Sequence, residues 1–141
     1  MQTPAEQRPF ETVMAVIRVT SILLGVYWLA IFVATHLPGR SLPSVGSDKV
    51  YHLIAFGGLG VMLSWTLSLC VRDGRLHAAV VLFIALLYAM FDEWSQQFVA
   101  GRQPDMMDVA ADACGAVLGL VSFWLLRSVL ASEVRLAKQP S

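Results

Sequence analysis

The chain has 141 residues, of which 57% are apolar and only 14% charged, and its formal net charge is zero. Soluble domains carry about a quarter charged residues, so this composition excludes an ordinary water-soluble domain. A neutral chain without a basic patch is equally unsuited to binding nucleic acid.

The length is better counted in membrane crossings. A bilayer core of about 30 Å takes roughly 20 apolar residues of helix, and four segments meet that need: about 16–35, 50–71, 77–97 and 109–127. The runs are too long for strands and lack period-two alternation. The expectation is an all-α membrane protein, a single domain over 1–141, whose four transmembrane helices form two antiparallel hairpins in a small bundle.

Residues 1–12, with Pro4 and Pro9, read as a short polar tail. The first apolar segment, "VIRVTSILLGVYWLAIFVAT", is long for a secretory signal and carries Tyr27 and Trp28 at its centre, so it reads as a retained span. The loop "HLPGRSLPSVGSDK" (36–49) is rich in Pro, Gly and Ser and has no periodicity. At the start of the second span, Asp48 and His52 stand one turn apart and share a face, with Lys49 between them. Ser47 and Asp48 are also natural N-caps. "RDGR" (72–75) reads as a tight turn between the second and third spans.

The third span ends in Asp92 and Glu93. There the helix macrodipole disfavours an anion by about 0.3–1 kcal/mol, and ionisable groups toward the centre of a span cost about 2–3 kcal/mol or more. Adjacent residues diverge by about 100°, so only one of the two is expected to face the bundle squarely. One reading is a wet helix end, with Trp94 and Gln96–Gln97 at the interface. The other is that the acids are held by cations or a metal, or that desolvation keeps one protonated.

Arg102 follows in the next loop. Asp105 and Asp108 then have capping-box spacing at the start of the fourth span, and Asp112, one turn further in, is a buried acid needing a partner. Gly115 and Gly119 form GxxxG, and Gly57, Gly58 and Gly60 make a second small stripe, both suited to close helix packing. Cys70 and Cys114 lie at different depths, beyond disulfide reach, and read as packed small apolar groups. Residues 132–141 read as a second polar tail.

Basic residues set the orientation. One side would hold Arg8, Arg18, Arg72, Arg75, Arg127, Arg135 and Lys138, the other Arg40, Lys49 and Arg102. Seven against three puts both termini inside, so the polar rim faces outward.

"DKVYHLIAFGGLG" (48–60), followed after one hairpin by "DEWSQQFVAGRQPDMMDVAADACGAVLG" (92–119), resembles the VanZ-like family. These are small integral membrane proteins named for a teicoplanin-resistance protein. The resemblance runs from about Leu37 to Gly119 and rests on Asp48, Lys49 and His52, then Asp92, Glu93 and Gln96, then Arg102, Asp108 and Gly115. Where the family commonly shows Asn, this chain has Asp112. The resemblance implies a bacterial cytoplasmic-membrane protein tied to cell-envelope biology and, in some members, to reduced glycopeptide susceptibility.

Three functions are compatible with these residues. A non-enzymatic envelope protein would engage a cell-wall precursor or polyprenyl-phosphate lipid, with Lys49 and Arg102 meeting phosphate and Asp48, Gln96 and Asp112 completing the binding set. A membrane-embedded enzyme would use His52 as base or nucleophile, with Asp92, Glu93 and Asp108 handling protons or a divalent ion. A structural subunit would use the rim only to lock helices. HExxH, GxSxG and P-loop motifs are absent, as is the inverted repeat of a carrier. The pattern names no cofactor and no metal.

Overall fold

The computed structural model describes residues 4–37 and 48–137, with side chains from residue 11 onward except that of 136. Arg40, Ser47 and Lys138 therefore lie outside the described residues, as does the side chain of Arg8. The chain forms four helices: α1 (Pro4–Thr35), α2 (Asp48–Ser68), α3 (Gly74–Gln96) and α4 (Met106–Ala137). Among the described residues there is no strand. Each helix holds a stretch long and apolar enough to cross a membrane, at Glu11–Thr35, Asp48–Ser68, Gly74–Gln96 and Met106–Arg135. The protein is an all-α, multi-pass membrane protein.

Helix ends depart from the expected bounds for local reasons. Helix α1 absorbs most of the supposed polar tail, because Pro4 occupies the first helical position, where a missing N–H costs nothing. Helix α4 runs on to Ala137, since residues 128–137 contain good helix formers and neither Gly nor Pro. Each of these helices has 32 residues, or about 48 Å at 1.5 Å per residue, and so outreaches a bilayer core. The "RDGR" segment is a cap as much as a turn: α3 starts at Gly74, and the Asp73 carboxylate accepts a 2.7 Å hydrogen bond from the Leu76 amide.

The core is built by α2, α3 and α4. Phe56, Leu59 and Leu63 meet Val81, Ala85 and Ala89 on one side and Val109, Ala116 and Leu120 on the other. In lipid, apolar burial between helices is not a driving force, so close approach of small residues takes its place. The largest interface joins α2 and α4, which are not consecutive. A Cβ on Gly115 would strike the Leu53 carbonyl, and one on Gly119 the Gly57 carbonyl. Helix α1 is peripheral: Ile31 and Thr35 are its buried residues among those described. The Tyr27 hydroxyl pins it by donating to the Ala55 carbonyl at 2.9 Å.

Cys70 and Cys114 are both exposed on the protein surface, correcting the expectation of packed thiols. Cys114 precedes Gly115, whose face is the one pressed on α2, and a 100° step turns the thiol away from that contact.

Candidate functional site

The C-terminal ends of α1 and α3 meet the N-terminal ends of α2 and α4 at one end of the bundle. Every residue proposed from the sequence lies at this end. Thr35, His52, Asp92, Glu93, Gln96, Asp108 and Asp112 are buried there, Asp92 and Asp112 completely.

Asp92 and Glu93 are both buried, contrary to the expectation that only one could face inward. They point to different neighbours. Asp92 accepts from Thr35 of α1 at 2.9 Å, and His36 Nδ1 stands 3.9 Å away. Glu93 accepts from the Asp105 backbone amide at 2.8 Å, just before α4. Gln96, one turn on, donates to both carboxylates, to Asp92 at 3.1 Å and to Glu93 at 3.0 Å. The wet-helix-end reading does not hold for these two acids or for Gln96, although Trp94 and Gln97 are exposed.

The expected capping box at α4 forms by half. Asp105 Oδ1 accepts from the Met107 amide at 2.8 Å, as an N-cap should. The return bond is missing because Glu93 has taken the Asp105 amide, and Asp108 turns instead to Lys49. Lys49 reaches across from α2 to Asp105 at 2.6 Å and Asp108 at 2.8 Å. That ammonium holds the Asp105 carboxyl below the usual carboxylate range, with the Met107 amide helping.

Arg102 is held more loosely. It donates to the Leu37 carbonyl at 3.3 Å, to Asp48 at 3.4 Å and to Gln96 at 3.5 Å. Typical N–H···O bonds are nearer 2.9–3.0 Å. Its guanidinium nevertheless closes the rim between α1, α2 and α3.

His52 lies deeper. Its Nδ1 is 3.0 Å from Asp112 Oδ1, both groups buried. With Asp112 ionised and His52 neutral, the ring proton sits on Nδ1 and Nε2 presents a lone pair. Among the described residues Nε2 makes no hydrogen bond, and Asp112 Oδ2, fully enclosed, has no partner either. His52 borders a cavity of about 120 Å³ that it shares with Thr35, Asp48, Tyr51 and Arg102. Asp48, His52 and Asp108 bring one possible ligand atom each within 4.8 Å of one another.

Four contributors were not anticipated. Thr35 and His36 end α1, Ser95 bonds the His36 ring at 2.9 Å, and the buried Tyr88 hydroxyl lies beside Asp92. His36 sits at the same chain end as the rim, and that position was the available signal. A threonine closing an apolar helix carries none. Tyr88 also lines an apolar groove of about 850 Å³ between α1 and α3, with Gly25, Trp28, Phe32, Leu87 and Phe91. The groove thus ends one turn below the polar end.

A family model described as VanZ/LLP1 matches residues 2–127. No curated protein and no solved structure matches the chain.

Proposed function

The chain belongs to the VanZ/LLP1 family, and from that premise we propose that its polar end engages the phosphorylated headgroup of a polyprenyl or cell-wall-precursor lipid. The observation that carries the reading is that two unlike spaces share helix α1 as a wall. A small cavity with Asp48, His52 and Arg102 on its wall opens at the end of the bundle, and an apolar groove between α1 and α3 rises toward it. An amphipathic ligand has that shape: a headgroup for the cavity and a hydrocarbon chain for the groove.

Arg102 is the group for phosphate. Its long bonds are cheap to exchange, and a guanidinium matches two phosphate oxygens at once. Lys49 is less available than its charge suggests, since two short carboxylate bonds already occupy it. It serves instead to fasten α2 to the start of α4. The membrane is the bacterial cytoplasmic membrane, with the polar end on its outer face, where precursor lipids meet glycopeptides such as teicoplanin.

A second reading, a hydrolase of the same lipid, is favoured by the His52–Asp112 pair. An imidazole oriented by a carboxylate and lining a cavity is the arrangement of a general base for water. Asp92 and Glu93 would then bear on the electrostatics of that base rather than touch the substrate.

The test uses the purified full chain in detergent with a polyprenyl phosphate, and the corresponding neutral polyprenol as control. Saturable thermal stabilisation by the phosphate but not the alcohol, lost in Arg102→Gln, is expected. Equal stabilisation by the alcohol would remove the headgroup from the reading. Release of inorganic phosphate, abolished by His52→Gln, would select the hydrolase.

A further inference from the structure

We infer that Asp48, His52 and Asp108 form a divalent-cation site at the polar end, of the class that takes Mn2+ or Mg2+. The inference deepens the lipid-phosphate reading and rests on it only for the role of the ion, not for its binding.

Donor geometry is the first argument. Oxygen and nitrogen ligands sit about 2.0–2.2 Å from such an ion, so opposed donors are up to about 4.4 Å apart. One candidate donor from each of the three residues lies within 4.8 Å of the others, so a cation needs little contraction to gather them. Two carboxylates with one imidazole, and no thiolate, suit a hard ion that keeps some water.

The three side chains are also held from behind. Asp48 Oδ2 faces Arg102, Asp108 Oδ1 accepts from Lys49, and His52 Nδ1 is fixed by Asp112. Each therefore retains one atom, Oδ1, Oδ2 and Nε2 respectively, without a hydrogen bond among the described residues. A histidine whose second nitrogen is held by a carboxylate is the usual support of a metal ligand.

A separate observation points to a missing partner. His52 is only 3% exposed, yet its unpartnered Nε2 belongs to a residue lining the cavity. Behind the ring, Asp112 Oδ2 is fully enclosed and without a hydrogen-bond partner. Buried polar groups are normally paired, and a cation on Nε2 would satisfy the ring directly and draw on the charge of Asp112 through it.

Charge completes the case. Even leaving out the buried Asp92, Glu93 and Asp112, the acids Asp48, Asp105 and Asp108 outnumber Lys49 and Arg102, the permanent cations in the described part of this end. A phosphate entering such a rim meets repulsion unless positive charge arrives with it. A divalent ion held by Asp48, His52 and Asp108 would supply that charge.

The experiment titrates the full chain in detergent with Mn2+ alone, reading free ion by electron paramagnetic resonance. One saturable site per chain is expected. Asp48→Asn and Asp108→Asn should each weaken it at least ~10-fold, and Asp112→Asn, which acts through His52, by ~10–100-fold. Asp73→Asn, the cap at the opposite end of the bundle, should leave it unchanged. The Asp48 side chain is 47% exposed, so its variant should fold even if the Asp108 variant does not. Absence of saturable binding up to about 1 mM, the range of weak cation sites, would overturn the inference. So would wild-type affinity in folded Asp48→Asn. Polyprenyl phosphate binding is then measured with Mn2+ and with a chelator. Intact Mn2+ binding without lipid binding would strike the lipid reading alone, whereas lipid binding indifferent to the chelator would strike the ion's role.

Discussion

Gln96 holds two acids with one amide group. It donates to Asp92 and Glu93 from the same Nε2, while its carbonyl faces Arg102. Gln96→Leu would withdraw a donor from two buried carboxylates at once, at roughly 1–3 kcal/mol for each group left short. A clear drop in melting temperature in detergent is expected. Arg102→Gln should behave oppositely, because the bonds it breaks are long: near-normal melting, with polyprenyl phosphate binding lost. If both variants melt early together, the polar end is a lock rather than a site. Asp105 gives a pH test. Its carboxyl is held low by Lys49, so its contribution is present above the ordinary carboxylate pKa of 3.8 and is lost as pH falls through the lower folded-state value. The melting deficit of Asp105→Asn should therefore be visible at pH 6 and shrink below about pH 4, where unfolded carboxylates begin to protonate. Asp48, His52, Arg102, Asp108 and Asp112 were legible because their charges interrupt apolar sequence at helix ends, where a cost must be met. Thr35 was not, because a hydroxyl that finishes an apolar helix can bond its own backbone and so needs no explanation.

Among the elements, the helices themselves were the plain part, since four apolar runs of membrane length leave little choice. Their partners were harder to read. GxxxG at Gly115 and Gly119 and the glycines of α2 announce close packing, but either stripe could have met any neighbour. Only in three dimensions does α2 lie on α4, across an intervening helix in the chain. The chain-order neighbours α1 and α2, and α3 and α4, do pack together, and close backbone approach adds the α2–α4 seam. Gly119→Ala should therefore separate α2 from α4, because the added methyl meets the Gly57 carbonyl, which no rotamer can move. Overpacking of this kind costs about 1–3 kcal/mol, read as lower yield and melting temperature. Gly25→Ala on α1, where an added Cβ meets nothing within 4 Å, should leave both unchanged. Equal losses from the two substitutions would mean that backbone approach is not what joins α2 to α4.

At the scale of the whole molecule, the two ends differ in kind. The polar end spends its cations on carboxylates: Lys49 on Asp105 and Asp108, Arg102 on Asp48. The opposite end carries Arg72, Arg75 and Arg127 near the turn between α2 and α3 and the overhang of α4. That overhang also places Arg135 beyond the bilayer core, since α4 outreaches about 30 Å. Basic residues, not acids, govern insertion, so the seven-to-three bias argues for the arginine-rich end inside. A phosphatase active only outside the cytoplasm should be silent when fused after Ser141 and active when inserted in the 98–104 loop. The consequence reaches the ligand. With the polar end outside, the cavity meets lipids that have already been flipped and can meet a glycopeptide. With the polar end inside, it would meet precursors still being assembled. Activity at the tail and silence at the loop would therefore remove the antibiotic connection, even if the carboxylates, His52 and Arg102 still bind phosphate.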